Sequence, residues 1–214
     1  DLVSQLERIG VPMVNSRVCL ERAADKYRTY LRLKDFGLDQ PKTVLCESPE
    51  NLQQSFENLN AKFPIILKTL RGSRGVGVLF VETERSLKGL VQTLYKVDED
   101  ADLLLQEYIK TDFDVRALVL DGKVIASMRR DVVEGDFRSN YSQGGNVSPY
   151  KLTSIEEKQC LLAAKAVDGI FTAVDFIPAK NREKNPPYIL EVNSSPGTDG
   201  IEEANNINIS KCKN

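Results

Sequence analysis

Tyr188 to Gly197 reads YILEVNSSPG, an apolar and β-prone run that stops at a proline–glycine pair and predicts a β-strand. Glu191 and Asn193 lie two residues apart, so both side chains project from one face of that strand. A carboxylate and an amide oxygen are hard ligands of the kind that Mg²⁺ prefers. Asp175, in the apolar run Phe171–Ile177, is a third candidate, because a charge inside a buried strand is costly unless paired or metal-bound. The alternative is that Glu191 and Asn193 are solvated at a sheet edge.

The composition fits one sizeable domain or two small lobes: 214 residues, of which 41% are hydrophobic and 28% charged. The formal net charge of −2 gives no electrostatic reason to expect a nucleic acid or an anionic membrane as partner. No apolar run reaches the ~18 residues of a membrane span, and from its first residues we expect no signal peptide. Because the chain starts at Asp1 without an initiator methionine, we expect it to be cut from something longer or trimmed.

Cysteine and histidine usage narrows the chemistry further. The four cysteines lie far apart without a CxxC pair, which favours reduced thiols in a cytoplasmic protein: Cys19, Cys46, Cys160 and Cys212. The chain contains no histidine, which excludes Ser-His-Asp triads, Cys-His dyads and histidine-ligated metals. A metal in this protein must therefore be held by oxygen ligands.

A glycine-rich loop follows the predicted strand Phe63–Leu70, which is apolar apart from Lys68 and Thr69. Gly72, Gly75 and Gly77 form a G-x-x-G-x-G pattern before a second strand, which is neither a Rossmann fingerprint nor a P-loop. Such a loop can fold over phosphates and offer backbone N–H groups, although a plain hairpin turn is the alternative. A lysine inside an apolar strand beside the loop favours an anion.

Basic residues at two other places also indicate an anionic partner. Arg129, Arg130 and Arg138 cluster in a chain of near-neutral charge, which is typical of phosphate or carboxylate recognition. Strand alternation puts Arg130 on the face of Met128 and Arg129 on the opposite face. Lys26 lies in the first turn of a helix, where the helix dipole disfavours a cation. A solvated loop and a solvated surface lysine are the alternatives.

The remaining pattern predicts alternating helices and strands. Helices are expected at 2–9, 17–24, 26–36 (capped by Asp25), 49–59 (capped by Ser48), 83–96 and 154–168. Strands are expected at 42–46, 63–70, 78–81, 103–109, 112–120, 123–130, 171–179 and 187–193, with Asp121-Gly122 as a hairpin turn. Residues 205–214 are expected to be frayed.

Six segments together resemble the ATP-grasp ligases, and most of all the RimK-like branch, whose members add glutamate to a ribosomal-protein C-terminus. These segments are Lys68 with the glycine loop, QEYI at 106–109, Arg116, EGDFRSN at 134–140, Val174-Asp175 and EVNSSPG at 191–197. The likeness runs from the first helix to about Ile209. It implies an α+β fold in which two α+β lobes sandwich ATP.

The resemblance also implies a division of the chain. Residues 1–24 would be an N-terminal helical segment, 25–110 a lobe with the glycine-rich lid, and 111–214 a C-terminal lobe with the Mg²⁺ site. The extra N-terminal domain that precedes this region in such ligases, and that usually helps to bind the acceptor, is expected to be lacking.

The resemblance assigns roles to individual residues. Those implied to contact ATP are Lys26, Lys68, Gly72, Gly75, Gly77, Glu107, Tyr108, Asp114, Arg138, Ser139 and Asn140. Lys26 and Lys68 would bind phosphates, and Glu107 and Tyr108 would lie near the adenine. Asp175, Glu191 and Asn193 would carry Mg²⁺, with Mn²⁺ as an alternative. Arg130 and Arg138 would be catalytic, Arg130 facing the γ-phosphate.

The implied activity is an ADP-forming carboxylate–amine ligase that works through an acyl phosphate. Its expected substrates are an amino acid such as glutamate and the carboxylate of an amino acid, a peptide or a protein C-terminus. A non-catalytic ATP-binding regulatory module of the same fold and a small-molecule kinase are the alternatives. Whether the protein forms homo-oligomers is left open.

Overall fold

A computed structural model describes residues 2–70, 77–132 and 146–209. The helices are α1 (Leu2–Arg8), α2 (Arg17–Ala24), α3 (Lys26–Asp35), α4 (Leu52–Leu59), α5 (Glu84–Val97), α6 (Ser154–Ala166) and α7 (Asp199–Asn205). The strands are β1 (Thr43–Cys46), β2 (Ile65–Thr69), β3 (Val78–Val81), β4 (Leu103–Glu107), β5 (Phe113–Leu120), β6 (Lys123–Asp131), β7 (Val147–Pro149), β8 (Phe171–Ile177) and β9 (Tyr188–Asn193). The predicted α+β class is confirmed.

The chain divides into two compact units, each with its own antiparallel sheet. The larger unit joins Asp1–Gln40 with Thr111–Asn214, and the smaller unit is Pro41–Lys110. The sequence-based division assigned residues 25–40 to the same lobe as the smaller unit. In the structure Leu33 of α3 and Leu38 are buried in one core cluster with Val115 and Phe176, so α3 packs within the larger unit.

The larger unit contains a five-stranded sheet of order β7-β6-β5-β8-β9. One face packs against helices, with Cys19 of α2, Leu33 of α3 and Cys160 of α6 in the shared core. On the opposite face Leu118, Met128 and Ala173 form a smaller cluster with Ile201 of α7. Strand alternation places charged side chains on the rest of that second face.

The smaller unit contains a four-stranded sheet of order β1-β4-β2-β3. One face carries Ile65, Leu67, Leu103 and Leu105 and packs against α4 and α5. The opposite face carries Ile66, Lys68, Leu104 and Gln106, because these alternate with the core residues along the same strands. Lys68 is therefore on the face that the helices of this unit leave uncovered.

Local signals set most element boundaries. The predicted N-cap Asp25 accepts hydrogen bonds from the N–H groups of Tyr27 and Arg28, and Thr153 and Glu156 form a capping box. The predicted start of α4 is wrong: the helix begins at Leu52 after a turn through Ser48, rather than at Pro49. The sequence analysis also missed β7 and α7. Among the described residues no helix has the length and apolarity needed to span a bilayer.

Candidate active site

The register of the five-stranded sheet brings six polar side chains onto one face, here called the polar face: Asp114, Arg116, Arg130, Asp175, Glu191 and Asn193. Asp114 lies opposite Arg130, and Arg116 lies opposite both Met128 and Asp175 on its two neighbouring strands. Asp175 in turn lies opposite Glu191 on β9. Directly opposed residues on adjacent antiparallel strands have side chains on the same face and within contact distance.

A β-bulge in β9 sets this alignment. Asp175 pairs with Glu191 whereas Phe176 pairs with Ile189, so Leu190 is the extra residue. The bulge lets Ile189 point into the helix-covered core while Glu191 and Asn193 lie on the face of Asp175.

Two arginines hold the aspartates of the polar face by bidentate hydrogen bonds. Arg116 donates from Nε to Oδ1 of Asp175 at 2.7 Å and from Nη2 to Oδ2 at 2.6 Å. Arg130 donates from Nε and Nη2 to the two carboxylate oxygens of Asp114 at 2.6 and 2.8 Å. Its Nη2 also lies 3.1 Å from Oδ2 of Asp175. These contacts use two of the three nitrogens of each guanidinium and leave Nη1 outside them.

Burial makes this network electrostatically strong. Arg130 and Asp175 are each 4% exposed. Burial by itself would raise the pKa of Asp175, but the charges and hydrogen bonds of Arg116 and Arg130 lower it well below its usual range. Burial likewise works against the charged form of Arg130, and Asp175 and Asp114 together raise its pKa above the ordinary value. Asp175 and Arg130 are therefore both ionised at neutral pH.

The predicted Mg²⁺ ligands lie together on the polar face. Asp175 and Glu191 are cross-strand neighbours, and two carboxylates directly opposite each other are destabilising unless a cation lies near them. The three N–H contacts that Asp175 receives from Arg116 and Arg130 leave about one of its four lone-pair positions for a metal. Asn193 donates from Nδ2 to Oε1 of Glu191 at 2.8 Å, so its own oxygen would bind a metal after a half-turn of the amide.

The donor set thus fits a single hard cation held at one end of the polar face. Within the described ranges, no group of three or more carboxylate or thiol side chains is placed to hold a metal. Two carboxylates and an amide oxygen give a net ligand charge of −2, and magnesium usually keeps several waters or phosphate oxygens beside such ligands. The residues therefore fit a Mg²⁺ whose remaining positions are open to water or phosphate oxygens.

Lys26 belongs to the same unit and is near this acidic end. It is half-buried at the start of α3, and burial lowers its pKa while Glu191 and Asp25 act in the opposite direction. A partly desolvated ammonium close to a carboxylate is a suitable contact for a phosphate oxygen.

Arg129 lies on the other face of β6, as the sequence alternation predicts. It is opposite the core residue Val115, its Nε donates to Oδ1 of Asp131 at 2.6 Å, and its guanidinium lies 3.9 Å from the ring centre of Phe113. It is thus separated from the polar face by the sheet.

In the smaller unit, Lys68 is half-buried and lies opposite Val78 and Leu104 in the sheet register. Gly77 directly precedes β3, and its C=O accepts the N–H of Thr69 at 2.9 Å. Gly77 has φ +83°, and a Cβ built there would collide with Oγ1 of Thr69. Glycine is therefore favoured where the chain enters β3.

The two residues predicted to lie near the adenine, Glu107 and Tyr108, already make contacts within the smaller unit. The Glu107 carboxylate accepts the backbone N–H of Lys42 at 2.8 Å, and the Glu107 N–H donates to the Lys42 carbonyl at 2.9 Å. Tyr108 is half-buried and makes an edge-to-face contact with Phe80, with ring centres 5.0 Å apart. Both remain predictions as nucleotide contacts.

Several predicted site residues lie outside the described residues: Gly72, Gly75, Arg138, Ser139 and Asn140. Two residues had received no role in the sequence analysis although their contacts are clear: Arg116 on the polar face and Asn15 beside the end of β9. Arg116 could have been found from its spacing, because it lies two positions after Asp114 in an apolar strand. Asn15 could not, because its partners are distant in the sequence.

A family model described as "RimK-like ATP-grasp domain" matches residues 23–212. A "Probable alpha-L-glutamate ligase" from Psychromonas ingrahamii is 36% identical over 207 residues, which are 96% of this chain and 66% of the relative. A "Probable alpha-L-glutamate ligase 2" from Shewanella amazonensis is 35% identical over 212 residues, covering 98% of this chain and 68% of the relative. The chain therefore spans about two thirds of the length of these curated relatives.

Solved structures show the same fold. The ATP-grasp ligase PsnB complexed with a minimal precursor matches 97% of this chain and 64% of its own, with TM-score 0.72 and 24% identity. The D-alanine–D-alanine ligase from Bacillus anthracis complexed with ATP matches 96% of this chain and 67% of its own, with TM-score 0.75 and 20% identity. These likenesses confirm the predicted ATP-grasp fold.

Proposed function

The chain belongs to the RimK-like ATP-grasp domain family, and we propose that it catalyses ATP-dependent formation of an amide bond between a carboxylate and an amine. The observation that carries the proposal is the polar face of the larger unit. There the register aligns two carboxylates and an amide at the edge strand, with two guanidinium groups fixed beside them.

We propose that Asp175, Glu191 and Asn193 hold Mg²⁺ and that Lys26 contacts phosphate near them. When bound, the metal would act as a Lewis acid and neutralise negative charge that develops on the phosphate during transfer. In the smaller unit, Lys68 would contact phosphate, and Tyr108 would lie near the adenine. Charge-assisted contacts of this type bind phosphate well because each donor is ionised.

Arg116 and Arg130 are proposed to position the aspartates and to contact the transferring phosphoryl group. Their bidentate contacts fix Asp175 and Asp114 in single orientations, so the candidate ligand is positioned before substrate arrives. The Nη1 group of each arginine lies outside those contacts and is proposed to donate to an oxygen of the transferring phosphoryl group. Fixed donors of this kind stabilise developing charge without reorganising during the reaction.

The proposed chemistry has two steps. A substrate carboxylate oxygen attacks the γ-phosphorus of ATP, and the bond between that phosphorus and the bridging oxygen of the β-phosphate breaks. ADP leaves, and the substrate carboxylate has become an acyl phosphate. The amine then attacks the acyl carbon, the C–O bond to phosphate breaks, and inorganic phosphate leaves with the carboxylate oxygen while the amine's proton passes to that phosphate or to water. Neither step needs a nucleophilic or acid–base side chain from the protein, which suits a chain without histidine.

Glutamate is the proposed amine substrate, because the curated relatives carry the name of alpha-L-glutamate ligases at about a third identity. The proposed carboxylate is that of a peptide or a protein C-terminus. The buried thiols of Cys19, Cys46 and Cys160 support a reducing compartment such as the cytoplasm.

The test is an oxygen-18 transfer experiment with ATP, Mg²⁺, glutamate and acidic peptides whose terminal carboxylates carry oxygen-18. The proposal predicts ADP, an extended peptide, and inorganic phosphate that contains one oxygen-18 atom. Label in AMP would instead indicate an adenylate and overturn the acyl-phosphate route. ADP formation that needs no amine and leaves the label in a phosphorylated product would indicate a kinase.

The non-catalytic alternative predicts a separate result in the same experiment. ATP and Mg²⁺ would bind, as measured by calorimetry, but no ADP would accumulate with any amine and carboxylate pair. A Glu191→Gln variant serves as the control for contaminating ATPases, because any ADP that persists undiminished in it does not come from the proposed site.

A further inference from the structure

The side chain of Asn15 is bonded at every polar position. Its Nδ2 donates to the carbonyl of Phe171 at 2.5 Å and to the carbonyl of Ser194 at 2.7 Å. Its Oδ1 accepts the backbone N–H groups of Ile170 and Phe171 at 2.8 and 2.9 Å. With 5% exposure, Asn15 is a buried carboxamide whose two donors and two acceptor positions are all used.

These bonds join β8 to the residue that follows β9, at a point where the two strands no longer pair. The register between β8 and β9 ends with the pair Ala173–Asn193. Beyond that pair, Phe171 is the first residue of β8 and Ser194 directly follows Asn193. Asn15 bonds to both, so its side chain spans the open end of the strand pair.

The position next to Asn193 gives this bridge a consequence for the candidate metal site. The carbonyl of Ser194 is one residue from Asn193, whose amide is a proposed Mg²⁺ ligand and whose Nδ2 bonds to Glu191. A strand end opens easily when its backbone groups are not hydrogen-bonded to a neighbouring strand, because those groups can bond to water instead. Fixing the Ser194 carbonyl limits how far the end of β9 can move relative to β8.

We infer that Asn15 is a positioning residue that fixes the end of β9 and thereby sets the orientation of Asn193 and Glu191 for Mg²⁺. It acts through the backbone of Ser194 and contacts neither metal nor substrate. The inference rests on the proposed Mg²⁺ and ATP binding of this face. It predicts that Asn15 controls metal affinity as well as stability, as groups that orient metal ligands commonly do.

The chain offers a matched control in Asn205. Its Nδ2 also donates to two backbone carbonyls, those of Ser127 at 3.1 Å and Ile201 at 2.9 Å, and so joins α7 to β6. Changing either asparagine to aspartate removes two N–H donors and leaves oxygen facing two carbonyls. Only the Asn15 change alters the end of β9.

The experiment compares Asn15→Asp, Asn15→Ser and Asn205→Asp with the unchanged chain. Thermal unfolding measures stability, and calorimetric titration of ATP over a series of Mg²⁺ concentrations gives the half-saturating Mg²⁺ concentration. We expect both Asn15 variants to raise this concentration by about tenfold or more. We expect Asn205→Asp to lower the melting temperature yet keep the Mg²⁺ dependence within about twofold, because its bonds lie away from the ligand strand.

Three results would overturn the inference while leaving the proposed function intact. A folded Asn15→Ser variant with the Mg²⁺ dependence of the unchanged chain would show that Asn15 does not position the ligands. An equal shift in Asn205→Asp would assign the effect to general destabilisation. Failure of both Asn15 variants to fold, with Asn205→Asp folded, would make Asn15 a folding residue only. If the unchanged chain itself shows no Mg²⁺-dependent ATP binding, the proposed function fails first and the inference fails with it.

Discussion

The polar face of the five-stranded sheet buries its charged side chains more deeply than the face of the four-stranded sheet that carries Lys68. On the polar face, Arg130 is 4% exposed and is bonded to carboxylates on β5 and β8. On the other face, Lys68 is half-buried and lies opposite Val78 and Leu104. The charges of the polar face therefore belong to the fold as well as to the site, whereas Lys68 can serve a ligand at lower cost to the fold.

This comparison predicts different consequences for removing a cation from each sheet. A buried charge that loses its partner is strongly destabilising, because its desolvation is no longer compensated. A half-buried side chain keeps part of its hydration, so solvent screens its charge and its removal costs the fold less. Removing a cation from the polar face of the larger unit should therefore mainly lower stability. Removing Lys68 from the smaller unit should mainly lower ligand affinity.

The largest effect is expected from Arg130→Leu. The change leaves Asp114 and Asp175 buried with one guanidinium fewer, and should lower the free energy of unfolding by ~3–5 kcal/mol. Urea denaturation followed by circular dichroism measures this loss. Arg129→Leu, on the opposite face with a side chain 39% exposed, is the matched control and should cost less than ~1 kcal/mol. Equal losses in the two variants would contradict the difference between the faces of β6.

Lys68→Ala should have the next largest effect, and on binding rather than folding. Loss of a charge-assisted contact to phosphate should weaken ATP binding by ~1.5–3 kcal/mol. Calorimetric titration measures the affinity, and thermal unfolding checks that the fold is retained. Lys62→Ala, an exposed lysine of the same unit, is the control that should bind ATP as before. Unchanged affinity in Lys68→Ala would remove this residue from the site.

A smaller effect is expected from acid pH. Arg116 and Arg130 hold the pKa of Asp175 below its unfolded value, despite the opposing effect of burial. The ionised carboxylate therefore stabilises the fold above the unfolded pKa of ~3.9, and this stability is lost as the pH falls through the lower folded pKa. Below pH ~4, stability should fall more steeply in the unchanged chain than in Asp175→Asn, by up to ~1.4 kcal/mol per pH unit. Parallel profiles from urea titrations at several pH values would contradict this.

The sequence predicted most elements of this fold because their signals are local. Alternation in YILEVN and in the strand of Asp175 put the candidate ligands on one face, and caps such as Asp25 marked helix starts. The missed elements are weak locally: β7 has three residues and contains Pro149, and α7 has no side-chain cap. The start of α4 was misplaced because Ser48 and Pro49 form a turn before the helix.

The pairing of charges could not be read from the sequence, because it depends on which strands are neighbours. Arg116 and Asp175 are 59 positions apart, and Asn15 is 179 positions from Ser194. Arg130 was expected to face phosphate, and only the register showed that it also bonds to Asp114 and Asp175. Local pattern thus identifies which residues share a face, and the strand order decides which of them interact.

The measurement that tests the account most directly is the Mg²⁺ dependence of ATP binding in Glu191→Gln. Glu191 lies at the end of the polar face and is half-buried, so the change should remove ligand charge with little loss of stability. We predict a half-saturating Mg²⁺ concentration raised by about tenfold or more, an unchanged melting temperature, and no shift in the exposed control Glu183→Gln. A Glu191→Gln variant that binds ATP with the Mg²⁺ dependence of the unchanged chain would contradict the assignment of the polar face as the metal and phosphate site.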